Sequence, residues 1–280
     1  VPTTLNQNTA TWIANTGDIL WVSTYNGVAR YDLNRQQFVM HHFELNSMAR
    51  KTEYNRASFD QVVADPVRPG VYWVITEHGV QGDWNTESGR VRYYYSHFQG
   101  NPNRFSFMNV LVCQNGRLYL SAHHHTEVFD LKSKRFLVRH ALSGQGYRSF
   151  TPLGATSMIA CAWNGAFRFH ATSDSFEPID LPFKDINYCH IASDSLWVFV
   201  SGSDGVCLYN PLRRSFRHFS FSKQGSGYFP LKGAYSACSD RSGRVWVVSS
   251  AGIVYLEKNR NIWESYNPGF NGYDNWVNHA

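Results

Sequence analysis

The stretch Gly17-Asp18-Ile19-Leu20-Trp21-Val22-Ser23-Thr24 recurs near the other end of the chain as Gly243-Arg244-Val245-Trp246-Val247-Val248-Ser249-Ser250. Each copy joins a turn-forming glycine to a run of β-branched and aromatic residues, which are typical of strands. Weaker copies lie between the two, and the six copies align on one anchor residue each: Trp21, Trp73, Tyr119, Ile159, Trp197 and Trp246. The anchors are spaced by about 45 residues on average, a period that indicates a repeat architecture.

A second element follows most anchors in register. It consists of a glycine, a short apolar run and an aromatic residue beside Asp or Asn, as in Gly27-Val28-Ala29-Arg30-Tyr31-Asp32 and Gly205-Val206-Cys207-Leu208-Tyr209-Asn210. Seven residues beyond that aromatic a phenylalanine appears in four repeats, as in Tyr31 to Phe38. Each repeat is therefore interpreted as four short strands joined by tight turns, although the second repeat departs from the pattern. Units of this kind predict an all-β fold, a β-propeller of four-stranded blades, with Trp21, Trp73, Trp197 and Trp246 in equivalent positions.

Six complete repeats are visible, and we expect them to form a single propeller domain over residues 1–280. The predicted blades span about 9–43, 58–98, 107–140, 147–180, 187–220 and 233–266. The tail from Tyr273 to His279 is similar to the first strand of a blade, so a partial seventh blade is a second interpretation. The chain begins at Val1 without an initiator methionine or a signal sequence, and we expect a fragment excised from a longer protein.

Composition narrows the function classes. Aromatic residues make up 16% of the 280 residues and charged residues 17%, which excludes a disordered chain and a coiled coil. No apolar run is long enough to span a membrane, and the net charge of +5 is scattered, so neither membrane contact nor nucleic-acid binding is predicted. The five cysteines include no C-x-x-C pair and lie mostly in apolar runs, which predicts buried free thiols. No metal and no cofactor is expected.

The pattern Asp240-Arg241-Ser242-Gly243-Arg244-Val245-Trp246-Val247, followed by the glycine element and a later aromatic, resembles the two-component regulator propeller repeat. The resemblance covers nearly the whole chain and is strongest in the first, fifth and sixth repeats. It implies the periplasmic, extracytoplasmic sensor region of a bacterial sensor histidine kinase or hybrid two-component system, many of which come from glycan-degrading gut bacteria. An oligosaccharide would then be the ligand, and other domains of the same sensor or a second subunit would be partners. The fragment itself would not be an enzyme, although its full-length parent could carry the kinase.

Two other functions stay open at this stage. The first is a propeller polysaccharide lyase, which could use His, Tyr and Arg side chains as base and charge neutraliser, or another carbohydrate-active enzyme. The second is a protein–protein interaction scaffold with the same fold. WD-repeat proteins are disfavoured because no Gly-His and Trp-Asp pairs stand in register. Sialidases are disfavoured because the chain has no Phe-Arg-Ile-Pro-type motif and no convincing acid pair.

Propeller geometry predicts where a ligand would bind. The turn between the second and third strands of each blade lies on the same face as the connections between blades, and alignment places Ser203-Asp204 among the equivalent turn positions. Aromatic, hydrogen-bonding and basic groups that converge on one concave mouth are what a sugar site requires. Arginine also binds carboxylate and sulfate groups well, so the basic residues favour an acidic oligosaccharide. The predicted ligand-binding residues are Tyr25, Arg56, His78, Arg104, His124, Tyr147, Arg148 and Trp163.

Overall fold

The protein is all-β. The computed structural model describes residues 10–24, 27–41, 59–76, 81–94, 111–121, 125–141, 147–173, 175–221, 233–249, 252–257 and 262–266. These residues form six four-stranded antiparallel sheets, each with its strands in sequence order, which are the blades of a β-propeller as the repeats predicted. Across these ranges no helix is long and apolar enough to cross a membrane. The tail from Tyr273 to His279 lies outside the described residues.

The chain divides into two compact units, Val1–Ser143 and Gly144–Ala280, and each unit contains three blades. The strands of the first unit are, in blade order, β1 Ala10–Thr16, β2 Ile19–Thr24, β3 Gly27–Asp32 and β4 Gln37–His41; β5 Phe59–Ala64, β6 Val71–Thr76, β7 Gln81–Asn85 and β8 Val91–Tyr94; β9 Leu111–Gln114, β10 Arg117–Ser121, β11 His125–Asp130 and β12 Arg135–Ala141.

The second unit is built in the same way. Its strands are β13 Tyr147–Leu153, β14 Ser157–Ala162, β15 Gly165–His170 and β16 Ser175–Ile179; β17 Ile186–Ser193, β18 Leu196–Ser201, β19 Gly205–Asn210 and β20 Ser215–Ser220; β21 Ala234–Ser239, β22 Val245–Ser249, β23 Gly252–Glu257 and β24 Ile262–Tyr266.

Strand register explains the seven-residue spacing between aromatic residues. The third and fourth strands of a blade pair so that the two aromatics face each other directly, as Tyr31 faces Phe38 with ring centroids 4.5 Å apart. The same pairing joins Phe129 to Phe136, Phe169 to Phe176 and Tyr209 to Phe216. In the sixth blade Trp263 pairs with Leu256, which keeps the spacing although the partner is aliphatic. The repeated phenylalanine is therefore the cross-strand partner of the third-strand aromatic, a contact that stabilises antiparallel sheets.

The Asp or Asn after that aromatic organises the turn into the fourth strand. The Oδ1 atom of Asp32 accepts the backbone N–H groups of Asn34 and Arg35, and Asn210 accepts those of Leu212 and Arg213 in the same way. Four residues after the Asp or Asn the chain takes a positive φ, at Gln36, Gly89, Lys134 and Arg214. Asp and Asn are suited to this position because their side chains hydrogen-bond to the backbone of the turn that follows.

The prediction that Trp197 is equivalent to the other tryptophan anchors is wrong. Trp21 and Trp73 pair with Arg30 and Asp83, whereas the residue in the corresponding place of blade 5 is Val198, which pairs with Leu208. Because successive side chains of a strand point to opposite faces, a shift of one residue turns Trp197 to the other face of its sheet. Trp21 and Trp73 accordingly pack on the blade that follows their own, while Trp197 packs on blade 4, against Ile159 and Cys161.

Apolar cores lie between neighbouring blades within each unit. In the first unit Trp21 and Trp84 are buried between blades 1 and 2, and Trp73 and Phe129 between blades 2 and 3. The second unit has one core between blades 4 and 5 and another between blades 5 and 6. The predicted free thiols are confirmed for four cysteines, of which Cys161, Cys189 and Cys207 are buried and Cys238 is partly buried.

Candidate functional site

Trp163 occupies the turn between the second and third strands of blade 4. Ala162 pairs with Gly165, so only Trp163 and Asn164 connect β14 to β15. Gly165 has a φ of 137°, a conformation that side-chain-bearing residues rarely adopt, and it allows this tight reversal. The Trp163 side chain is 42% exposed, which is high for a large aromatic residue in a two-residue turn. The geometry therefore presents an indole ring at the tip of the blade.

Arg148 supports one face of this indole. Its guanidinium carbon lies 3.0 Å from the centroid of the Trp163 ring, and its Nη1 atom lies 2.9 Å from Oδ1 of Asp185. Burial lowers the pKa of Arg148, but the neighbouring Asp185 carboxylate opposes that effect, and the arginine stays charged. A cation on the ring face is favourable because it lies against the negative side of the π-system. The stack covers one face of the indole, and the Trp163 side chain as a whole stays 42% exposed.

Asp185 connects the turn of blade 4 to the turn of blade 5. It ends the segment between β16 and β17 with a φ of 62°, and its backbone N–H donates to the carbonyl oxygen of Trp163 at 2.8 Å. Its Oδ2 atom accepts a hydrogen bond from the Ser203 hydroxyl at 3.3 Å. A single side chain thus contacts Arg148 and Ser203 while its backbone holds Trp163.

The turn between β18 and β19 is held by its own side chains. The Ser201 hydroxyl accepts the backbone N–H groups of Ser203 and Asp204, at 3.2 and 3.1 Å. The Ser203 hydroxyl also lies 3.0 Å from Oδ2 of Asp204. Ser203 and Asp204 are exposed, so their oxygen atoms face solvent beside the Trp163 turn.

We call Arg148, Trp163, Asp185, Ser203 and Asp204 the Trp163 cluster. It combines an exposed aromatic face, backed by a cation, with hydroxyl and carboxylate oxygens supplied by the next blade. An aromatic face packs on the C–H groups of a sugar ring, and the oxygens accept hydrogen bonds from sugar hydroxyls. Within the described ranges no group of three or more His, Cys, Asp or Glu residues could hold a metal ion.

The structure brings together two of the eight predicted ligand-binding residues, Trp163 and Arg148. Tyr147 precedes Arg148 but is only 3% exposed, and its ring stacks on Phe176 with a centroid distance of 5.1 Å. Burial raises the pKa of Tyr147 well above its usual value, as expected for a phenol inside a packed blade. The other five predicted residues lie outside the described residues: Tyr25, Arg56, His78, Arg104 and His124.

Sequence reasoning did not single out Asp185. The residue lies in an irregular segment, Asp180 to Asp185, that has no counterpart in the repeat pattern, and no spacing rule assigns it a partner. The alignment of second turns did include Ser203 and Asp204. The structure places the Ser203 hydroxyl 3.3 Å from the Asp185 carboxylate and Asp204 in the same turn as Ser203.

No protein-family model and no curated protein sequence matches the chain. Among solved structures it is similar to the extracellular domain of the putative hybrid two-component system BT3049 from B. thetaiotaomicron, with a TM-score of 0.72, 17% identity and coverage of 97% of this chain and 36% of that one. It is also similar to the extracellular domain of the putative hybrid two-component system BT4673 from the same organism, with a TM-score of 0.71, 13% identity and coverage of 96% and 34%. A third similar structure is the computationally designed protein Ika8, with a TM-score of 0.60, 11% identity and coverage of 88% and 70%.

These similarities establish the propeller fold. The two natural neighbours are extracellular domains of the class that the repeat resembles. The chain spans about a third of the length of each of them.

Proposed function

We propose that this chain is the ligand-sensing propeller of a bacterial hybrid two-component sensor histidine kinase, placed in the periplasm and binding an oligosaccharide. The observation that carries the proposal is the Trp163 cluster, in which a tight turn and a partly buried ion pair hold an exposed indole. The extracytoplasmic placement is supported by the likeness to two extracellular domains of hybrid two-component systems.

The free face of Trp163 stacks on one sugar ring. Asn164, in the same turn, and Ser203 and Asp204, in the next blade, then hydrogen-bond to hydroxyl groups along the edge of that ring. Arg148 acts as a positioning residue, because its guanidinium already lies on the indole and faces the Asp185 carboxylate. Preorganisation of this kind favours binding because little side-chain entropy is lost when the ligand arrives.

The charge of the ligand is inferred from the sequence. Arg56 and Arg104, which lie outside the described residues, favour an acidic oligosaccharide, whereas the Trp163 cluster itself holds two carboxylates and one arginine. The cluster therefore binds hydroxyl-rich parts of the ligand. Other domains of the sensor or a second subunit complete the pocket, and occupancy is passed to a cytoplasmic kinase.

Calorimetry tests the site directly. The wild type and the Trp163→Ala and Trp163→Phe variants are titrated with matched neutral and acidic oligosaccharides at low and high salt. We expect Trp163→Ala to weaken binding by about 1–2 kcal/mol and Trp163→Phe to retain most of it, because the aromatic face does the stacking. Leu212→Ala is the matched control, since Leu212 is 76% exposed and lies in the turn at the opposite end of blade 5.

Equal affinity of the wild type and Trp163→Ala would remove the indole from the site. If salt does not weaken the binding of acidic ligands, Arg56 and Arg104 do not bind the ligand's charged groups, because exposed charges are screened beyond about 10 Å at 0.1 M. Capture of a protein partner at the Trp163 face, with no oligosaccharide bound, would favour the interaction scaffold instead.

A further inference from the structure

The reversed orientation of Trp197 creates an unusual contact between blades 4 and 5. Trp21, Trp73 and Trp246 donate their indole N–H to Thr16, Asp65 and Asp240, at 2.8 to 2.9 Å. The Nε1 atom of Trp197 has no such partner among the described residues, although the side chain is only 3% exposed. A buried N–H without an acceptor costs free energy, which an incoming acceptor would recover.

Arg168, like Trp197, has a buried nitrogen without a hydrogen-bond partner among the described residues. It pairs with Ile159 on the face of blade 4 that packs against blade 5, and its guanidinium carbon lies 5.3 Å from the Trp197 ring centroid. Its Nε atom is buried and has no partner within the described part of the chain. The corresponding residues of blades 1 and 2 are paired, since Arg30 lies 3.5 Å from Asp32 and Asp83 lies 2.8 Å from Arg68. Blades 4 and 5 therefore each contribute one buried, unpartnered donor to this contact.

Arg168 and Trp197 also line a cleft of about 360 Å³. Its lining includes Arg168, Glu177, Asp180, Trp197, Tyr209 and Phe216. The volume is near the lower end of the range for ligand pockets, roughly 300–1,000 Å³, and suits a ligand of monosaccharide size. Phe216 is 49% exposed and gives the cleft an open aromatic wall.

The lining also supplies acceptors. Glu177 is the cross-strand neighbour of Arg168, but its carboxylate lies 3.2 Å from Nε2 of His170 and is largely exposed. Asp180 follows at the end of the same blade and is exposed as well. Buried donors at the base with carboxylates at the rim match a ligand that carries one acidic group and several hydroxyls.

We propose that this cleft binds a polyhydroxylated carboxylate, a sugar acid, through Arg168 and Trp197. The ligand carboxylate accepts hydrogen bonds from Arg168 Nε and Trp197 Nε1, and its hydroxyls donate to Glu177 and Asp180 while the ring lies against Phe216. Among the described residues no ion pair holds the Arg168 guanidinium. Both donor atoms are buried in this structure, so the proposal includes a rotation of the Arg168 side chain that opens them to the cleft.

This site is separate from the Trp163 cluster. Trp197 and Tyr209 pair at the end of blade 5 where β18 begins and β19 ends, whereas Ser203 lies in the turn at the opposite end of these strands. Loss of ligand binding at one site therefore leaves the other intact, and the Trp163→Ala variant serves to tell them apart.

The probe is glucuronate, with glucose as the matched ligand that lacks the carboxylate. Indole N–H resonances of the ¹⁵N-labelled full chain are followed during each titration, and Trp197→Phe identifies the Trp197 resonance. We expect glucuronate, and not glucose, to shift that resonance. Arg168→Gln should weaken glucuronate binding about tenfold or more, because a charge-assisted hydrogen bond is lost. The control is Arg213→Gln, which changes an exposed arginine in the turn between β19 and β20 of blade 5 and should leave glucuronate binding unchanged.

Glucuronate binding that persists in Arg168→Gln and Trp197→Phe would overturn the proposal, as would a Trp197 resonance that neither sugar shifts. An equal response to glucose and glucuronate would overturn the carboxylate assignment. Binding that Trp163→Ala abolishes while Arg168→Gln leaves it intact would assign glucuronate to the Trp163 cluster and leave the cleft filled by water alone.

Discussion

At the scale of single residues, the indole N–H of a tryptophan anchor is held by a carboxylate acceptor. Asp65 is 8% exposed and accepts a hydrogen bond from Trp73 Nε1 at 2.8 Å and another from Arg68 at 2.7 Å. Burial alone would raise the pKa of Asp65, but the hydrogen bonds from Arg68, Val67 and Trp73 hold it below the usual value. Trp246 and Asp240 repeat this arrangement in blade 6 at a more exposed position. Trp73 and Trp246 therefore hold, through these hydrogen bonds, the aspartate that follows the first strand of their blade.

Asp240 should make the stability of blade 6 depend on pH. Hydrogen bonds from Ser242 and Trp246 lower its pKa to about 2, from an ordinary value of 3.8. A carboxyl group whose pKa is lower in the folded state stabilises the fold above about pH 4, and that contribution is lost as the pH falls from about 4 towards about 2. We expect Asp240→Asn to flatten this acid limb of the unfolding midpoint.

Ser242→Ala supplies the control for the Asp240 prediction. It removes the largest cause of the lowered pKa and keeps the charge, so the acid limb should become smaller and end at a higher pH without disappearing. Urea unfolding at a series of pH values measures both effects. Identical acid limbs in the wild type and both variants would show that Asp240 does not contribute.

At the scale of strands, most of the blade could be predicted because alternation and turn chemistry are local. Tyr31 and Phe38 pair because their seven-residue spacing matches a tight turn with one residue, Gln36, at positive φ. That spacing can be read directly from the sequence. Trp197 was misplaced because the repeats were aligned on the identity of the tryptophan. The distance to the turn held the better signal: Trp21 and Trp246 stand three residues before Thr24 and Ser249, whereas Trp197 stands four before Ser201.

The glycine that opens the third strand can be tested by a matched pair of substitutions. Gly165 and Gly205 have nearly the same φ, 137° and 140°, but a Cβ at Gly205 would overlap the carbonyl oxygen of Phe219, while one at Gly165 would meet nothing within 4 Å. We expect Gly165→Ala to cost about 1–3 kcal/mol from backbone strain alone. Gly205→Ala should cost about 1–3 kcal/mol more, because the adjacent strand must move. Urea unfolding of both variants measures the difference, and equal costs would show that β20 yields without penalty.

At the scale of the whole molecule, the site was only partly predictable. Repeat register carries Trp163 and Ser203 to neighbouring second turns, and this much follows from the sequence. The Asp185 contact does not follow, because it depends on an irregular connection whose path is set by packing around Phe183 and Ile186. Arg148 was predicted to hold an anionic or hydroxyl group of the ligand, and the structure gives its guanidinium two neighbours of its own, Trp163 and Asp185.

The remaining question at this scale is whether the chain turns over a glycan. A polysaccharide lyase needs a base that can give up its proton near neutral pH and a free cation that neutralises the substrate carboxylate. Tyr147 is 3% exposed and burial raises its pKa, the opposite of what a tyrosinate base requires. Arg148, its neighbour, already faces the Asp185 carboxylate. We therefore expect no unsaturated product from a panel of acidic polysaccharides incubated with the full chain, followed by absorbance and chromatography. Product formation that Tyr147→Phe or His124→Ala abolishes, with the circular dichroism of the variant unchanged, would place the lyase ahead of the sensor.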